Sequence, residues 1–315
     1  MPIPPHNYGA RIGFDRNGLY VSVHNGSADL RTAQTCYAIP MADVVAADGP
    51  DLSHMEALRG LEIEAFPATD PDPDKPPGAP AALPHREFGD AASKLFLYRI
   101  TWSGKKASIS AAQPVPLSRT YRSPNGASRQ FQAVQPAPGL KLRADEGRRT
   151  LSVFARGGSV FGCNVAKRAI DSRCGILWYE VRVRDGALVQ EGFVDAPDCD
   201  YLAPSLAVDS RGNVGLGCTR TSATEFPSVY VMMHGASDSA GAMRPPVLAV
   251  KGTTYYRSPP SGNTNAIGWE NYSSTCLDPE DPTRVWTCQE YCDSAVERQW
   301  CTAWACFRLD PAKGR

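Results

Sequence analysis

Short runs of strand-forming residues, separated by clusters of Gly, Pro, Asp and Asn, recur along almost the whole chain of 315 residues. β-branched and aromatic side chains favour extended backbone, and the residue types between the runs favour tight turns. Helix signals are nearly absent, since the most helix-like segment, 41–61, is interrupted at Gly49 and Gly60. The chain is therefore predicted to be all-β, with strands at 95–102, 151–155, 159–164, 176–184, 206–209, 214–219, 228–233, 284–291 and 300–309.

A hairpin-like unit repeats over these runs. An Asp at a strand end is followed by a turn and a new strand at Asp15, Asp209 and Asp278, and 143–164 is a more degenerate copy. Asp, Gly and Pro supply the conformations that such turns need. Four-stranded antiparallel sheets that each begin with a hairpin are typical of β-propeller blades, which bury their faces only against neighbouring blades. We predict four blades, at about 8–113, 140–197, 200–252 and 268–309.

Two irregular stretches interrupt the strand pattern. Residues 67–84, which include an alternating Asp-Pro sequence, are too polar to form a core and are predicted to be an exposed insertion loop. Residues 118–130 are predicted to be a second insertion loop. Because the strand pattern resumes after each stretch, residues 1–315 are predicted to form a single propeller domain or the C-terminal part of one. Four blades close poorly into a ring, so we expect an incomplete propeller, completed by N-terminal blades or covered by self-association.

The charge balance excludes several partners. Lys and Arg total 33, and Asp and Glu also total 33, so no basic surface for nucleic acid is predicted.

The longest apolar runs, such as 229–233, are far shorter than the ~20 residues that a membrane-spanning helix needs. The first residues lack the basic and apolar regions of a signal peptide.

Ten cysteines, an even number concentrated in the C-terminal half, favour an oxidised extracellular or cell-surface setting. Facing residues on antiparallel strands lie close enough for a disulfide. The predicted pairs are Cys163–Cys174, Cys292–Cys301 and Cys276–Cys288. The alternative is a reduced intracellular protein with buried thiols. No metal or cofactor is predicted, because the cysteine spacings are loose and no His lies near them.

Several short motifs occur in a particular order, at 6–13, 178–181, 190–192, 205–217, 268–273, 278–279, 286 and 290–291. Their order resembles that of bacterial β-propeller proteins loosely called sialidase-like. The resemblance implies a propeller with further blades before the first hairpin. It departs from the family at Glu270-Asn271, where the family has Gly-Asp. Sialidase activity itself needs an arginine triad, and no spacing among the candidates Arg11, Arg220 and Arg257 specifies one.

The candidate site lies in the motif at 268–273 and in the strand that follows it. Alternation along a strand places Glu270 and Tyr272 on one face, and Glu290 would supply the second carboxyl group that glycosidases use. The predicted catalytic residues are therefore Glu270, Glu290 and Tyr272. The predicted substrate-binding residues are Trp269 as a stacking platform, Arg257 for an acidic substituent, and Tyr291. The alternative is that these side chains cap turns and brace contacts between blades.

Two classes of function remain open at this point. The first is an extracellular propeller that binds a glycan or glycoconjugate at the mouth of the channel. A stronger version of this hypothesis adds hydrolysis of the bound ligand. The second is a non-catalytic structural or adhesion module that makes protein–protein contacts. The sequence contains neither a nucleophile elbow nor a His-x-x-x-His pair, so it does not decide whether the protein is an enzyme.

Overall fold

The computed structural model describes residues 8–24, 34–61, 65–87, 91–122, 131–137, 139–144, 152–168, 173–257, 266–269, 273–296 and 300–309. The fold is all-β, as predicted, with one short helix, α1 (Met41–Val44). The strands are β1 (Tyr8–Phe14), β2 (Gly18–His24), β3 (Gln34–Pro40), β4 (Glu56–Leu61), β5 (Ala81–Arg86), β6 (Ala92–Ser103), β7 (Lys106–Ile109), β8 (Gln113–Arg122), β9 (Gln132–Val134), β10 (Lys141–Arg143), β11 (Ser152–Arg156), β12 (Ser159–Arg168), β13 (Gly175–Arg182), β14 (Leu188–Val194), β15 (Cys199–Val208), β16 (Val214–Ser222), β17 (Ser228–His234), β18 (Val247–Val250), β19 (Ala266–Gly268), β20 (Ser274–Leu277), β21 (Val285–Tyr291) and β22 (Cys301–Phe307). Among the described residues no helix has the length and apolar character needed to cross a membrane.

Five antiparallel sheets follow one another along the chain. Sheet 1 contains β1 to β4, sheet 2 contains β5 to β8, sheet 3 contains β11 to β14, sheet 4 contains β15 to β18, and sheet 5 contains β20 to β22. A short pairing of β8 with β12 joins sheets 2 and 3 at their edges. The prediction of four blades is wrong, because the first predicted blade, 8–113, contains both sheet 1 and most of sheet 2.

Apolar clusters pack these sheets face to face in chain order. Tyr20 and Cys36 of sheet 1 pack with Leu83 and Ile100 of sheet 2. The opposite face of sheet 2 packs on sheet 3, and a further cluster joins sheet 3 to sheet 4 and reaches Val285 of sheet 5. Sheets of about four strands stacked in this way form a β-propeller. Within the described part of the chain, no apolar cluster joins sheet 5 back to sheet 1.

The contact between sheets 4 and 5 depends on two glycines of β16. A Cβ added to Gly217 would lie 2.1 Å from the Thr287 hydroxyl, and one added to Gly215 would lie 2.9 Å from the Val285 side chain. Both distances are too short for a real side chain, so only glycine allows this separation of the sheets.

A small sheet lies against the ends of sheets 3, 4 and 5. Strand β10 pairs antiparallel with β9 and parallel with β19. Leu142 of this sheet and Phe131, which precedes β9, form one buried cluster with Val165, Leu202 and Cys292, the last of which follows β21. This cluster determines the environment of one predicted site residue, described below.

The predicted Asp turns are present. Asp15 Oδ1 accepts hydrogen bonds from the amides of residues 17 and 18 at 2.7 and 3.0 Å. Asp209 Oδ1 accepts from residues 211 and 213 at 2.8 and 2.9 Å, and Asp278 Oδ1 accepts from residues 280 and 281 at 2.9 and 3.1 Å. The side chain of each Asp therefore closes the hairpin between the first two strands of its sheet.

The two predicted insertion loops differ from expectation. Residues 81–84 belong to the fully buried strand β5, and Lys75 is only 7% exposed, so 67–84 is not an exposed loop throughout. This polar segment contains a buried ion pair, which is described below. Residues 118–122 belong to β8, and 123–130 lie outside the described residues.

The predicted disulfides are wrong, because all ten cysteines are free thiols in the structure. The register explains the difference. Opposite pairs are Cys163 with Trp178, Cys301 with Tyr291, and Cys276 with Trp286. Each predicted partner is therefore displaced along the strand from the facing position that a disulfide needs.

Candidate functional site

Among the described residues, none of the predicted site residues lines a cavity. Glu270 and Tyr272 lie outside the described residues. Glu290 is 1% exposed, and its backbone carbonyl accepts a hydrogen bond from the Thr219 hydroxyl at 2.7 Å. Neither of the two cavities described below is lined by any predicted site residue. Two-carboxylate chemistry at Glu270 and Glu290 stays a prediction.

Three more of the predicted residues lie in the described part of the chain, in different surroundings. Trp269 is 1% exposed in the cluster around the small sheet, where its Nε1 donates to Thr219 Oγ1 at 3.3 Å. This burial leaves no open ring face for a sugar and favours the alternative of an aromatic contact between sheets. Arg257 is exposed and lies over the Tyr255 ring, 4.6 Å from its centre. Tyr291 is half-buried, and its hydrogen bond with Cys301 raises its pKa to about 12.

A cavity of about 490 Å³ lies where sheets 1, 2 and 3 meet, and we call it the Asp70 cavity. It is bounded by the β1–β2 turn, the segment before β5, the β11–β12 turn and the end of β13. Its lining residues are Asp15, Ala68, Asp70, Asp72, Asp74, Lys75, Pro76, Ala79, Pro80, Ala81, Ala82, Ala155, Gly157, Gly158, Ser159, Arg182, Val183 and Arg184. Its volume is in the range of small-molecule sites, about 300–1,000 Å³.

A buried ion cluster forms one wall of the Asp70 cavity. Lys75 Nζ lies 2.7 Å from Asp15 Oδ2 and 3.1 Å from Asp70 Oδ2, and it also donates to the Pro80 carbonyl at 3.2 Å. The three charged side chains are only 7%, 1% and 11% exposed, in the order Lys75, Asp15 and Asp70. The ammonium therefore compensates two carboxylates that are largely removed from water.

Burial raises the pKa of the Asp70 carboxyl above its ordinary value, against the opposing effect of the Lys75 ammonium. A second carboxylate, that of Asp15, adds to the rise. Asp70 thus binds a proton more readily than an exposed carboxyl does. It is also the member of the buried ion cluster with the most exposure to the cavity.

Backbone hydrogen bonds hold the Asp-Pro segment against three sheets. The amide of residue 68 donates to the carbonyl of residue 82 at 2.9 Å, and that of Asp70 donates to residue 14 at 2.8 Å. Residue 69 exchanges bonds with residues 153 and 155 at 3.1 and 2.8 Å. Asp72 Oδ2 accepts from the Gly157 amide at 3.2 Å. These bonds convert a proline-rich segment into a fixed wall of the cavity.

The lining of the Asp70 cavity also contains two arginines. Arg182 Nε donates to both oxygens of Asp185, at 3.0 and 3.1 Å, and Arg184 lies 3.5 Å from the same carboxylate. The Arg184 side chain is 78% exposed and lines the cavity. None of the described residues that line the cavity is aromatic, so recognition by them depends on hydrogen bonds and charge rather than on stacking.

A second cavity, of about 460 Å³, lies at one end of sheet 4, and we call it the Arg220 cavity. Arg220 binds Glu225 through two hydrogen bonds, at 2.8 and 3.0 Å, and Tyr230 donates to Glu225 at 2.5 Å. Burial, followed by this hydrogen bond, raises the pKa of Tyr230, and burial raises the pKa of Cys199 in the same cavity. Burial therefore disfavours the phenolate and the thiolate of these two side chains.

Asp43, Asp51 and His54 place their ligand atoms within 4.8 Å of one another near α1. However, Lys105 Nζ already lies 2.8 Å from Asp43 Oδ1, and His54 Nδ1 lies 3.0 Å from Asp43 Oδ2. The lysine supplies the positive charge that a cation would bring. This cluster is a surface ion network rather than a candidate metal centre.

Comparisons with known proteins give structural likenesses only. No protein-family model and no curated protein matches the chain. It is similar to the alpha-L-arabinanase of Penicillium chrysogenum, solved with arabinobiose, at 11% identity over 97% of this chain and 94% of that chain, with a TM-score of 0.45. It is also similar to an alpha-L-arabinofuranosidase of Clostridium thermocellum, at 14% identity over 96% and 91% and a TM-score of 0.32. A third likeness is to the WD40 domain of SCAP from fission yeast, at 8% identity over 100% and 69% and a TM-score of 0.33.

Scores of this size carry no argument about function. The propeller assignment therefore depends on the order and packing of the five sheets. The order and packing of the sheets support the coarser part of the resemblance to the sialidase-like group, namely the propeller architecture.

Sequence reasoning missed the Asp70 cavity. The alternating Asp-Pro sequence at residues 70–74 has the composition of an exposed loop, which is what the sequence predicts there. Lys75 and Asp15 are 60 residues apart, and no local pattern indicates that they pair. The only local signal was the single Lys that follows three Asp residues in a segment otherwise made of Pro and Gly.

Proposed function

We propose that this propeller binds a glycan in the Asp70 cavity. The observation that supports the proposal most is the combination of acceptors and donors in the lining of one cavity of ligand size. Asp70, Asp72 and Asp74 offer carboxylate oxygens, and Arg184 offers a guanidinium. Sugar hydroxyls donate to carboxylates and accept from cations, so a hydroxyl-rich ligand satisfies both kinds of group. The predicted site at the motif of residues 268–273 is not part of this proposal.

Calorimetric titration with a panel of neutral and acidic oligosaccharides tests the proposal. Asp74 and Arg184 are exposed, so Asp74→Asn and Arg184→Gln are expected to preserve the fold while weakening binding about threefold to tenfold each, the value of one hydrogen bond. Asp48→Asn, at an exposed position away from both cavities, is the matched control and should bind as the wild type does. Equal affinity of all these proteins for every sugar bound would refute the assignment to this cavity.

Hydrolysis of the bound glycan is the second candidate, favoured by the three carboxyl groups that line the cavity, of which Asp70 has a pKa raised by burial. A glycosidase needs one carboxyl group that is still protonated near neutral pH and a second that is ionised. Asp70 would be the acid, and Asp72 or Asp74 the second carboxylate. In assays of sugar release, Asp70→Asn should lower kcat by about 100-fold or more. Binding without any release of product would identify a non-catalytic lectin-like module.

The setting of this function also belongs to the proposal. An extracellular or cell-surface location fits a glycan ligand, and fractionation of the source cells with an antibody to the protein tests it. Detection only in the soluble cell interior would contradict it. The alternative function, an adhesion module that makes protein contacts, predicts that the Asp70 cavity variants leave partner binding unchanged.

A further inference from the structure

The lining of the Arg220 cavity contains two opposite charges that do not neutralise each other. Asp198, which precedes β15, and Lys251, which follows β18, both line the cavity and both have exposed side chains. Within the described residues, neither of these side chains makes an ion pair or a hydrogen bond. A carboxylate and an ammonium are therefore both available to a ligand in the same cavity.

The order of strands separates the two charges. Strands β15 and β18 are the outer strands of sheet 4, with β16 and β17 between them. Three strand spacings of about 4.8 Å place the ends of the two outer strands roughly 14 Å apart. The cavity therefore extends across the end of the sheet, with the Asp198 carboxylate on the β15 side and the Lys251 ammonium on the β18 side.

A fixed guanidinium lies between these two strands. Arg220 of β16 donates two hydrogen bonds to Glu225, at 2.8 and 3.0 Å. It also bonds the Tyr201 and Tyr230 hydroxyls, and its Cζ lies 3.7 Å from the centre of the Tyr230 ring. These contacts use at most four of the five N–H donors of an arginine, so at least one donor remains for a ligand. Because Glu225 neutralises the guanidinium, that donor adds no net charge to the cavity.

The turn between β16 and β17 holds Glu225 in place. Ser222 Oγ accepts hydrogen bonds from the amides of residues 224 and 225 at 3.1 and 2.9 Å, and the Ser222 amide donates to the Glu225 carbonyl at 3.0 Å. The turn is thus closed by one of its own side chains. The position of the guanidinium is therefore set before a ligand arrives, which lowers the entropy cost of binding.

The cavity also has an apolar part. Leu248, which is 45% exposed, and the half-buried Phe226 line it together with Ala196. A ligand side chain that covers these groups would remove apolar surface from water, which favours binding. The lining thus combines two separated opposite charges, a neutralised donor between them, and an apolar surface.

We infer that the Arg220 cavity binds a short zwitterionic peptide of two or three residues. Its terminal ammonium pairs with Asp198, its terminal carboxylate pairs with Lys251, and a peptide carbonyl accepts a hydrogen bond from Arg220. An extended dipeptide is about 7 Å long, and the side chains of Asp198 and Lys251 extend over the rest of the span. A ligand with a single charge would satisfy only one end of the cavity. The inference is independent of the proposed glycan function, because the two cavities share no lining residue.

Calorimetric titration with the dipeptides Ala-Leu, Leu-Ala and Leu-Leu tests the proposal. The dipeptide that binds most tightly is then compared with its N-acetylated form and its C-terminal amide. Each blocked form loses one ion pair and should bind about fivefold more weakly. Free leucine, which is too short to reach both charges, should also bind more weakly. The absence of binding by all three dipeptides at millimolar concentration would overturn the proposal, as would equal affinity for the free and blocked forms.

Two variants identify the residues that read each terminus. Lys251→Met should weaken binding of the free dipeptide about fivefold but leave that of the amide unchanged, because the amide has no carboxylate to pair. Asp198→Asn should weaken binding of the free dipeptide but not that of the N-acetylated form. The matched controls are Lys106→Met and Asp48→Asn, at exposed positions away from both cavities.

Circular dichroism checks that all four variants keep the wild-type fold. The controls should bind every peptide as the wild type does. A cavity variant that weakens the free and blocked forms equally, or that weakens neither, would overturn the assignment of the peptide to this cavity.

Discussion

Lys75→Met should destabilise the protein more than its position in a proline-rich segment suggests. The substitution keeps an unbranched apolar side chain but removes the ammonium that contacts Asp15, Asp70 and the Pro80 carbonyl. In the described structure, Lys75 is the only donor to Asp15 Oδ2. The Asp15 carboxylate, which is only 1% exposed, would then have no positive charge beside it.

The expected loss is about 3 kcal/mol, at the lower end of the 3–5 kcal/mol range for breaking a buried ion pair. Two features keep it low. Asp15 Oδ1 retains its hydrogen bonds from residues 17, 18 and Tyr20, at 2.7, 3.0 and 3.0 Å. Asp70 is 11% exposed and can take up water or a proton. With a urea slope of about 3 kcal/mol/M for a chain of this size, the midpoint should fall by about 1 M.

Urea denaturation at pH 7, followed by tryptophan fluorescence, measures this loss. The matched control is Lys105→Met, because Lys105 also contacts an Asp, at 2.8 Å, but its side chain is 50% exposed. The control should lose less than about 1 kcal/mol. The loss for Lys75→Met should shrink at pH 3, because Asp70, whose pKa burial raises, is then protonated and needs no ammonium partner. Equal losses for the two variants, or a loss that does not depend on pH, would refute the reasoning.

Three further predictions concern stability. Burial raises the pKa of Asp70 in the folded state, so ionisation of Asp70 lowers the free energy of unfolding as the pH rises above the ordinary pKa of 3.8. The free energy of unfolding of Asp70→Asn relative to that of the wild type, measured by urea denaturation, should therefore be higher at pH 7 than at pH 3. Gly217→Ala places a Cβ 2.1 Å from a hydroxyl of sheet 5 and should cost about 2 kcal/mol, whereas Gly268→Ala, with its nearest atom at 3.7 Å, should cost less in the same assay. Asp209→Ala removes acceptors for three N–H groups at 2.8–2.9 Å and should lower the unfolding free energy by about 2 kcal/mol, as measured by thermal denaturation.

The strands and the Asp hairpins could be predicted because their signals are local. Alternation of side chains and turn chemistry act over a few residues, and Asp15, Asp209 and Asp278 all close the turns expected of them. The number of sheets could not be predicted in the same way. The connection between β4 and β5 contains little apolar sequence, so two sheets were assigned to one blade.

The contacts that shape the cavity are not local. Lys75 is buried because Asp15, far away in sequence, and Asp70 surround its ammonium, and composition alone predicted a solvated loop. The disulfide predictions failed for a related reason. Two cysteines that flank a hairpin face each other only in one register, and the observed register displaces Cys276 and Cys301 from their predicted partners.

Ligand binding in the Asp70 cavity should be coupled to the titration of Asp70. A hydroxyl that donates to this carboxylate stabilises its ionised form, so binding lowers the raised pKa and releases a proton. Affinity for a sugar should therefore rise with pH from about pH 4 and level off above the pKa of Asp70 in the free protein. Calorimetry in buffers of different ionisation enthalpy measures the released proton directly. Asp70→Asn should abolish both the pH dependence and the proton release, whereas Asp48→Asn should keep them. Binding that takes up protons, or an affinity that is flat between pH 4 and 7, would show that the ligand does not contact this carboxylate.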